Sequence, residues 1–239
     1  ISTPGIAETG EVTSVNWEAS DNTGFRSHHL YLSVDSGQTF VLIDSISGES
    51  SSLSWNVPDS VVSDLCLLKI ISYDLVNLTA ADTSGVFSII DVIPPQVSTL
   101  EPQSGFSISE YDSLTVEWTA TDNIGIDSVK VFYSNDGGTT FSYQGIQPGD
   151  STSYSFVIPM GVTDEAQIKL MAIDNFDNEG EGVSDLFSVT DNTPPEVAIS
   201  TPGIAETGEV TSVNWEASDN TGFRSHHLYL SVDSGQTFV

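Results

Sequence analysis

The chain contains an exact internal repeat, because residues 1–41 recur letter for letter as residues 199–239. A shared fold alone does not produce such identity, since one fold tolerates many sequences. Identity at every position indicates recent duplication within an array of repeats, which is typical of elongated structural proteins rather than enzymes. The second copy is preceded by Asp191–Ala198, a lead-in that the first copy lacks. We therefore expect the sequence to be a window on a longer array.

A second, more diverged repeat lies inside the first. Trp17–Gly24 reads WEASDNTG and matches WTATDNIG at Trp118–Gly125, and Ser33–Phe40 matches Ser134–Phe141 at the same offset of 101 residues. The spacing predicts modules of about 100 residues, the commonest domain size. The predicted boundaries are 1–91 for module one, 92–191 for module two and 192–239 for the first half of module three.

The chain is strongly acidic, with 34 acidic and 5 basic residues and a net charge of −29. This charge excludes electrostatic binding to nucleic acid or to an anionic membrane surface. The carboxylates fit either binding of divalent cations or a heavily solvated surface. The aromatic residues, 4 Trp, 11 Phe and 7 Tyr, argue against disorder because they supply a core. The single cysteine, Cys66, cannot form an internal disulfide, and its module-two counterpart Ala166 indicates a buried small residue.

The hydrophobic pattern has a period of two. Val15, Trp17 and Ala19 alternate with polar residues, and no helical pattern of useful length occurs. The fold class predicted is all-β, with tandem antiparallel β-sandwich modules of about seven strands each. For module two, strands A, B, C, C′, E, F and G are predicted at 96–100, 113–121, 128–134, 140–144, 153–158, 167–174 and 184–190.

Tryptophan recurs at equivalent places, as Trp17, Trp118 and Trp215 on strand B, and Trp55 on strand E has Phe156 as its module-two counterpart. Because these residues lie on strands of alternating hydrophobicity, we predict that their side chains pack in the core. The alternative is an aromatic platform for sugar binding.

The order of these motifs resembles a known type of module. Asp-Asn-x-Gly is followed by an alternating strand, then Ser-x-Asp-x-Gly-x-Thr-Phe, then Trp55–Pro58. Together they resemble the immunoglobulin-like or fibronectin-III-like repeat modules of large bacterial or archaeal secreted and surface proteins, of the adhesin-stalk or fibre type. The resemblance implies a β-sandwich and an extracellular or cell-surface location. It does not identify one activity, because such modules also serve as spacers in secreted enzymes.

The element Ser33–Phe40 also resembles the Asp-box hairpin of sialidases and related propellers. In such a hairpin Asp35 accepts N–H bonds across the turn, Gly37 supplies a positive φ, and Phe40 packs beneath. Sialidase catalysis requires an arginine cluster, whereas this chain has only Arg26 and its copy Arg224. We therefore interpret the hairpin as structural.

Acidic and amide side chains concentrate where the sandwich topology brings the linker, the B–C loop and the F–G loop to one pole of a module. At the first junction these are Asp91, Asp122, Asn123, Asp174, Asp177 and Asn178. The second junction has Asp191, Asp219 and Asn220, and module one has a thinner set, Asp21 and Asp74. Ca²⁺ takes 6–8 oxygen ligands in flexible geometry, so we predict calcium sites at the junctions. The alternative is that these residues only form turns.

No catalytic constellation is present in the sequence, since the serines have no paired His and Asp pattern. The leading hypothesis is a non-enzymatic extracellular array that acts as a rigid stalk, adhesin shaft or filament, with calcium as cofactor and neighbouring copies of the repeat as partners. The alternative is accessory or glycan- or protein-binding modules of a secreted multidomain enzyme. No membrane insertion is expected for this segment. The half-module is expected to continue along the chain, or else to be completed by strand addition from another chain.

Overall fold

The computed structural model describes residues 1–200 and 203–239, and all regular secondary structure within them is β-strand. Antiparallel pairing dominates, and the sheets fall into successive sandwiches along the chain. This confirms the predicted fold class. The exact module boundaries stay a prediction, and residues 201 and 202 of the predicted third module lie outside the described part.

Module one is built from eight strands. They are β1 (Ile6–Glu8), β2 (Val12–Asn16), β3 (Phe25–Ser33), β4 (Val41–Ser47), β5 (Ser52–Asn56), β6 (Ser63–Asp74), β7 (Thr79–Thr83) and β8 (Phe87–Ile90). One sheet has the order β1-β8-β6-β3-β4, with β7 also paired to β6, and the facing sheet is the antiparallel pair β2-β5.

Module two repeats this plan. Its strands are β9 (Gln96–Glu101), β10 (Ser107–Ser109), β11 (Ser113–Thr121), β12 (Ile126–Ser134), β13 (Ser142–Pro148), β14 (Ser153–Val157), β15 (Thr163–Asp174), β16 (Glu179–Val183) and β17 (Phe187–Thr190). One sheet has the order β10-β17-β15-β12-β13 with β16 on β15, and the other has the order β14-β11-β9.

The alternating strands place their apolar faces between the sheets. Trp118 is only 1% exposed, and Trp17 and Trp55 are also buried, so these tryptophans belong to the core and do not form a sugar platform. Cys66 and Ala166 are both fully buried at equivalent positions of β6 and β15. Burying each large aromatic side chain contributes about 1.5–3 kcal/mol.

The last strand of each module differs from the prediction. We expected one strand G over 184–190, whereas the structure has a shorter strand there, β17, and an additional strand before it, β16, with the buried Ser184 between them. The Ser184 hydroxyl accepts the Ile168 N–H at 2.9 Å and donates to the Asp185 carbonyl at 2.7 Å. The side chain therefore replaces the missing ladder bonds at the interruption. Ser84 and Leu68 repeat the arrangement in module one.

The first strand also divides, which sequence periodicity did not indicate. β9 pairs antiparallel with β11 in one sheet, and the chain then crosses so that β10 pairs parallel with β17 in the other. In module one, β1 pairs parallel with β8 in the same way. The predicted strands C′ and F shift as well, to β13 and to a longer β15.

Module three is represented by the antiparallel pair β18 (Glu196–Ser200) and β19 (Asn214–Ser218). Trp215 is 45% exposed there, whereas its counterpart Trp17 is buried. In module one, Trp17 belongs to a core cluster that includes side chains of β5, β6 and β8.

Candidate metal centre at the module junction

Three of the predicted carboxylates meet at the junction of modules one and two. Asp91 follows β8 directly, Asp122 follows β11, and Asp174 ends β15. β11 and β15 end at the same pole, because β12 begins there directly after the Asp122 loop and pairs its first residue, Ile126, with Asp174. Each of the three offers one oxygen, and these oxygens all lie within 4.8 Å of one another.

The Asp122 side chain is held by its own loop. Its Oδ2 accepts the backbone N–H groups of Ile124 at 2.8 Å and Gly125 at 2.9 Å. Gly125 has a φ of 136°, which a residue with a side chain rarely adopts. The Asp-Asn-x-Gly motif thus forms an Asx turn that leaves Oδ1 directed away from the loop backbone.

Asp174 is fixed in an equivalent manner by the F–G loop. Its Oδ1 accepts the backbone N–H groups of Phe176 at 2.7 Å and Asn178 at 2.9 Å. The Asn178 amide donates to Oδ2 at 2.7 Å and also reaches the Asp91 carbonyl at 3.3 Å. The F–G loop of module two is therefore tied to the linker.

Asp91 connects the two modules. Its Oδ1 accepts the Thr9 hydroxyl of module one at 2.7 Å and the Asn123 amide of module two at 2.9 Å. The same amide donates to the Asp59 carbonyl of module one at 2.6 Å. Burial acts to raise the pKa of Asp91, but the hydrogen bonds from Asn123, Thr9 and the following backbone outweigh it, so the pKa lies below its ordinary value.

Three buried oxygens at this junction have no hydrogen-bond donor: Asp91 Oδ2, Asp122 Oδ1 and Asn123 Oδ1. Asp91 is only 4% exposed, so water has little access to donate a hydrogen bond to its free oxygen. Leaving such an atom without a partner costs about 1–3 kcal/mol, and more when the group is charged. Neither ion pair found within residues 1–200 and 203–239 involves this cluster. A cation would satisfy these oxygens together.

Two other predicted residues of this junction have different roles. Asp177 is exposed at a φ of 66°, as a turn residue of the F–G loop, and it is not part of the carboxylate cluster. The side-chain amide of Asn178 donates hydrogen bonds to Asp174 and to the carbonyl of Asp91 in the linker.

The predicted residues of the second junction do not form a comparable group among the described residues. Asp191 accepts the Thr193 N–H at 2.9 Å and the Thr221 hydroxyl at 2.7 Å. Thr221 also donates to Asp219, and the Asn220 amide donates to Glu110. Calcium at this junction stays a prediction.

In module one, Asp21 and Asp74 make the same turns as their counterparts. Asp21 Oδ2 accepts the N–H groups of Thr23 at 2.7 Å and Gly24 at 3.0 Å. The Thr23 N–H is the largest cause that lowers the pKa of Asp21. Asp74 Oδ1 accepts the N–H groups of Val76 and Leu78. A metal role for these two residues also stays a prediction.

The structure adds residues that sequence reasoning missed. Thr9 and Asp59 of module one contact the Asp91 group, and Glu110 of module two contacts the second junction. Thr9 and Glu110 occupy equivalent turns but differ in chemistry, so the internal repeat gave no signal for either. Asp59 participates only through its backbone carbonyl, which carries no sequence signature.

The hairpins at Asp35, Asp136 and Asp233 share one hydrogen-bond pattern. Asp35 accepts the Thr39 hydroxyl at 2.6 Å, the Thr39 N–H at 2.9 Å and the Ser33 hydroxyl at 2.7 Å. These bonds, led by that of the Thr39 hydroxyl, lower the pKa of Asp35 to about 2. Every carboxylate oxygen of the hairpin is thus used within the turn, which leaves it a structural element.

Part of the chain matches a known protein family. Residues 95–170, which lie within the predicted module two, match the family described as Bacterial Ig domain. No curated protein sequence matches the chain. Among solved structures, the fibronectin(III)-like modules of Clostridium thermocellum CbhA are 17% identical with a TM-score of 0.33, covering 78% of this chain and 87% of theirs.

Two further solved structures also match. The chicken CNTN1 FN1–FN3 domains are 11% identical, with a TM-score of 0.39, and the match covers 92% of this chain and 87% of that one. The N-terminal four Ig domains of Dscam1 isoform 6.9 are 11% identical with a TM-score of 0.41, and the match covers 78% of this chain. The chain spans only 43% of that Dscam1 fragment. The family match and the observed sandwiches together support tandem immunoglobulin-like modules, and domain families of this kind are generally non-catalytic.

Proposed function

We propose that the chain is a non-enzymatic segment of an extracellular repeat array that acts as a stiff stalk, adhesin shaft or filament, and that Ca²⁺ held at the first junction provides part of the stiffness. The observation that carries the proposal is Asp91. This linker carboxylate is bound by module one through Thr9 and by module two through Asn123, and it faces two further carboxylates.

The linker itself favours a defined angle between the modules. Pro94 and Pro95 fix φ at two successive positions and remove two N–H donors, so the linker does not behave as a flexible coil. Pro95 is buried, and the Asn178 and Asn123 amides fasten the poles of module two to module one. With short, fixed junctions, the end-to-end length of an array increases in proportion to the number of its modules.

The atoms that the cluster offers as metal ligands favour calcium. Its available atoms are carboxylate and amide oxygens, with no His nitrogen or Cys sulfur among them, and hard cations prefer such ligands. Three carboxylates within 4.8 Å repel one another unless a cation lies between them. Because one carboxylate belongs to the linker and two belong to module two, a bound ion would resist bending at the junction.

The family match supports the proposed extracellular or cell-surface location. Bacterial Ig domains are typically extracellular or on the cell surface, and we extend this to the present chain. Among the described residues, no helix is long and apolar enough to span a membrane. The partners proposed are neighbouring copies of the repeat.

The test is a calorimetric titration of Ca²⁺ into the full chain after removal of divalent ions, followed by small-angle scattering with Ca²⁺ and with EDTA. We expect saturable binding and a more extended, narrower distribution of interatomic distances with Ca²⁺. Asp122→Asn should abolish both effects. Asp21→Asn is the matched control, because Asp21 makes the same turn in module one and belongs to no three-carboxylate group among the described residues. Unchanged scattering on saturation with Ca²⁺ would remove calcium from the mechanism of stiffness.

A further inference from the structure

Glu110 is a fully buried carboxylate at the second junction, 0% exposed. It lies in the turn between β10 and β11, which is equivalent to the turn that contains Thr9 in module one. The backbones match closely, since the N–H of Thr9 bonds to the Ile90 carbonyl and that of Glu110 to the Thr190 carbonyl, both at 3.0 Å. Evolution of the repeat has therefore placed a charged side chain where the other module has a hydroxyl.

Three separate segments donate to this carboxylate. Its Oε2 accepts the backbone N–H of Gly161, in the E–F loop of module two, at 3.1 Å. Its Oε1 accepts the hydroxyl of Thr193 in the linker and the amide of Asn220, in the B–C loop of module three, at 2.8 Å. Hydrogen bonds to a charged acceptor are about twice as strong as neutral ones. Glu110 thus fastens the linker and the next module to module two.

Each junction pairs a carboxylate with a hydroxyl, but the segment that contributes each group differs between the two junctions. At the first junction the linker supplies the carboxylate, Asp91, and the turn supplies the hydroxyl, Thr9. At the second junction the turn supplies the carboxylate, Glu110, and the linker supplies the hydroxyl, Thr193. The B–C loop asparagine of the following module donates to the carboxylate in both cases, as Asn123 and as Asn220.

The junctions differ in what remains unsatisfied. At the first, three buried oxygens lack a donor, which is the feature that favours a cation. At the second, both Glu110 oxygens have donors, and among the described residues no side-chain atom of Glu110, Asp191 or Asn220 is buried without a partner. The buried carboxylate of the second junction therefore has a hydrogen-bond donor on each oxygen without an ion.

We infer that Glu110 is a direct, cation-independent anchor between module two and the module that follows it. This rests on the proposed role of the chain as a stiff array and specifies how that role is regulated. The chain contains one junction of each kind, at Asp91 and at Asp191. Loss of calcium then loosens the first kind of junction and leaves the second kind unchanged.

The test measures the two junctions separately in the full chain by pulsed electron paramagnetic resonance. Spin labels are attached through Gln38→Cys and Thr139→Cys for the first junction, and through Thr139→Cys and Gln236→Cys for the second, all in exposed hairpin turns. The background is Cys66→Ala, which introduces the residue found at the equivalent buried position of module two. Gln38 and Gln236 are the same residue of the repeat, so the two pairs are matched.

We expect the 139/236 pair to give a narrow distance peak in EDTA that Ca²⁺ does not change. Glu110→Ala should abolish that peak in both conditions and leave the 38/139 peak of the same protein unaltered, which also shows that module two remains folded. Asn220→Ala, outside module two, should produce the same loss, and combining the two should add nothing further. Glu117→Gln, an exposed charge on β11, is the control and should have no effect.

Three results would overturn the inference: a broad 139/236 distribution in EDTA, a 139/236 peak that narrows when Ca²⁺ is added, or a peak that survives both Glu110→Ala and Asn220→Ala. A 38/139 peak that ignores calcium would instead contradict the proposed calcium role at the first junction. The two failures are read from different label pairs and are therefore distinguishable.

Discussion

Replacing Asp122 by Asn should change the stability of the chain in opposite directions with and without calcium. The substitution keeps the shape of the side chain and an oxygen that can accept the Ile124 and Gly125 N–H groups. It removes one negative charge and directs an amide toward the carboxylates of Asp91 and Asp174. In EDTA this relieves repulsion and supplies a donor, whereas in Ca²⁺ it removes a ligand.

The size of each effect follows from the geometry. Two unit charges no more than 4.8 Å apart repel by about 3 kcal/mol at an effective dielectric constant of about 20, and by about 1 kcal/mol in water. Because Asp122 is only partly buried, we expect Asp122→Asn to stabilise module two by about 1–3 kcal/mol in EDTA. A ligand present at about 100 times its dissociation constant stabilises by about 2.7 kcal/mol, and the variant should lose most of this.

The assay is differential scanning calorimetry of the full chain in EDTA and in saturating Ca²⁺. For a domain of roughly 60–100 residues, 1 kcal/mol shifts the melting temperature by about 4–8 °C, so both effects are measurable. Asp21→Asn reports the cost of the same change in an identical turn. The reasoning is refuted if Asp122→Asn destabilises equally in both conditions, or if it cannot be told from Asp21→Asn.

Three further predictions concern the modules themselves. Ser184→Ala should destabilise module two by about 1–3 kcal/mol in chemical denaturation, because the Ile168 N–H loses its acceptor inside the sheet. Trp118→Ala should cost about 3–5 kcal/mol, measured in the same way, whereas Trp215→Ala should cost far less because that side chain is 45% exposed. The hydrogen bonds of the hairpin, led by that from the Thr140 hydroxyl, hold the pKa of Asp136 at about 2, below its unfolded value of 3.8. Its stabilising contribution is therefore complete above pH ~4 and is lost as the pH falls through ~2, which carboxyl NMR shifts will show as a titration midpoint near 2.

The sequence predicted the sandwich class because period-two alternation and repeated turn motifs are local signals. Strand β11 was predicted with its exact bounds, since Ser113–Thr121 alternates without interruption. The division of the last strand was not predicted, because it depends on Ser184 reaching β15, a contact between residues distant in the sequence. The crossing of the first strand between sheets depends likewise on pairing with β17.

The candidate site was predictable to the extent that topology brings loops together. Asp91, Asp122 and Asp174 were inferred from the ends of predicted strands, and the structure does place their oxygens within 4.8 Å. Asp177 did not join them, because the F–G turn holds it exposed at a positive φ. Glu110 was missed because its burial depends on the linker and on the next module.

The crossing of the first strand also determines how a module carries tension. β10 and β17 run parallel, paired from Ser107 with Ser188 to Ser109 with Thr190. A force that pulls the two ends of module two apart draws β10 toward one pole and β17 toward the other, so the strands must slide lengthwise. All the hydrogen bonds between them are then loaded in shear at once, whereas a peeled hairpin breaks its bonds one after another. β1 and β8 give module one the same resistance to stretching along the array axis.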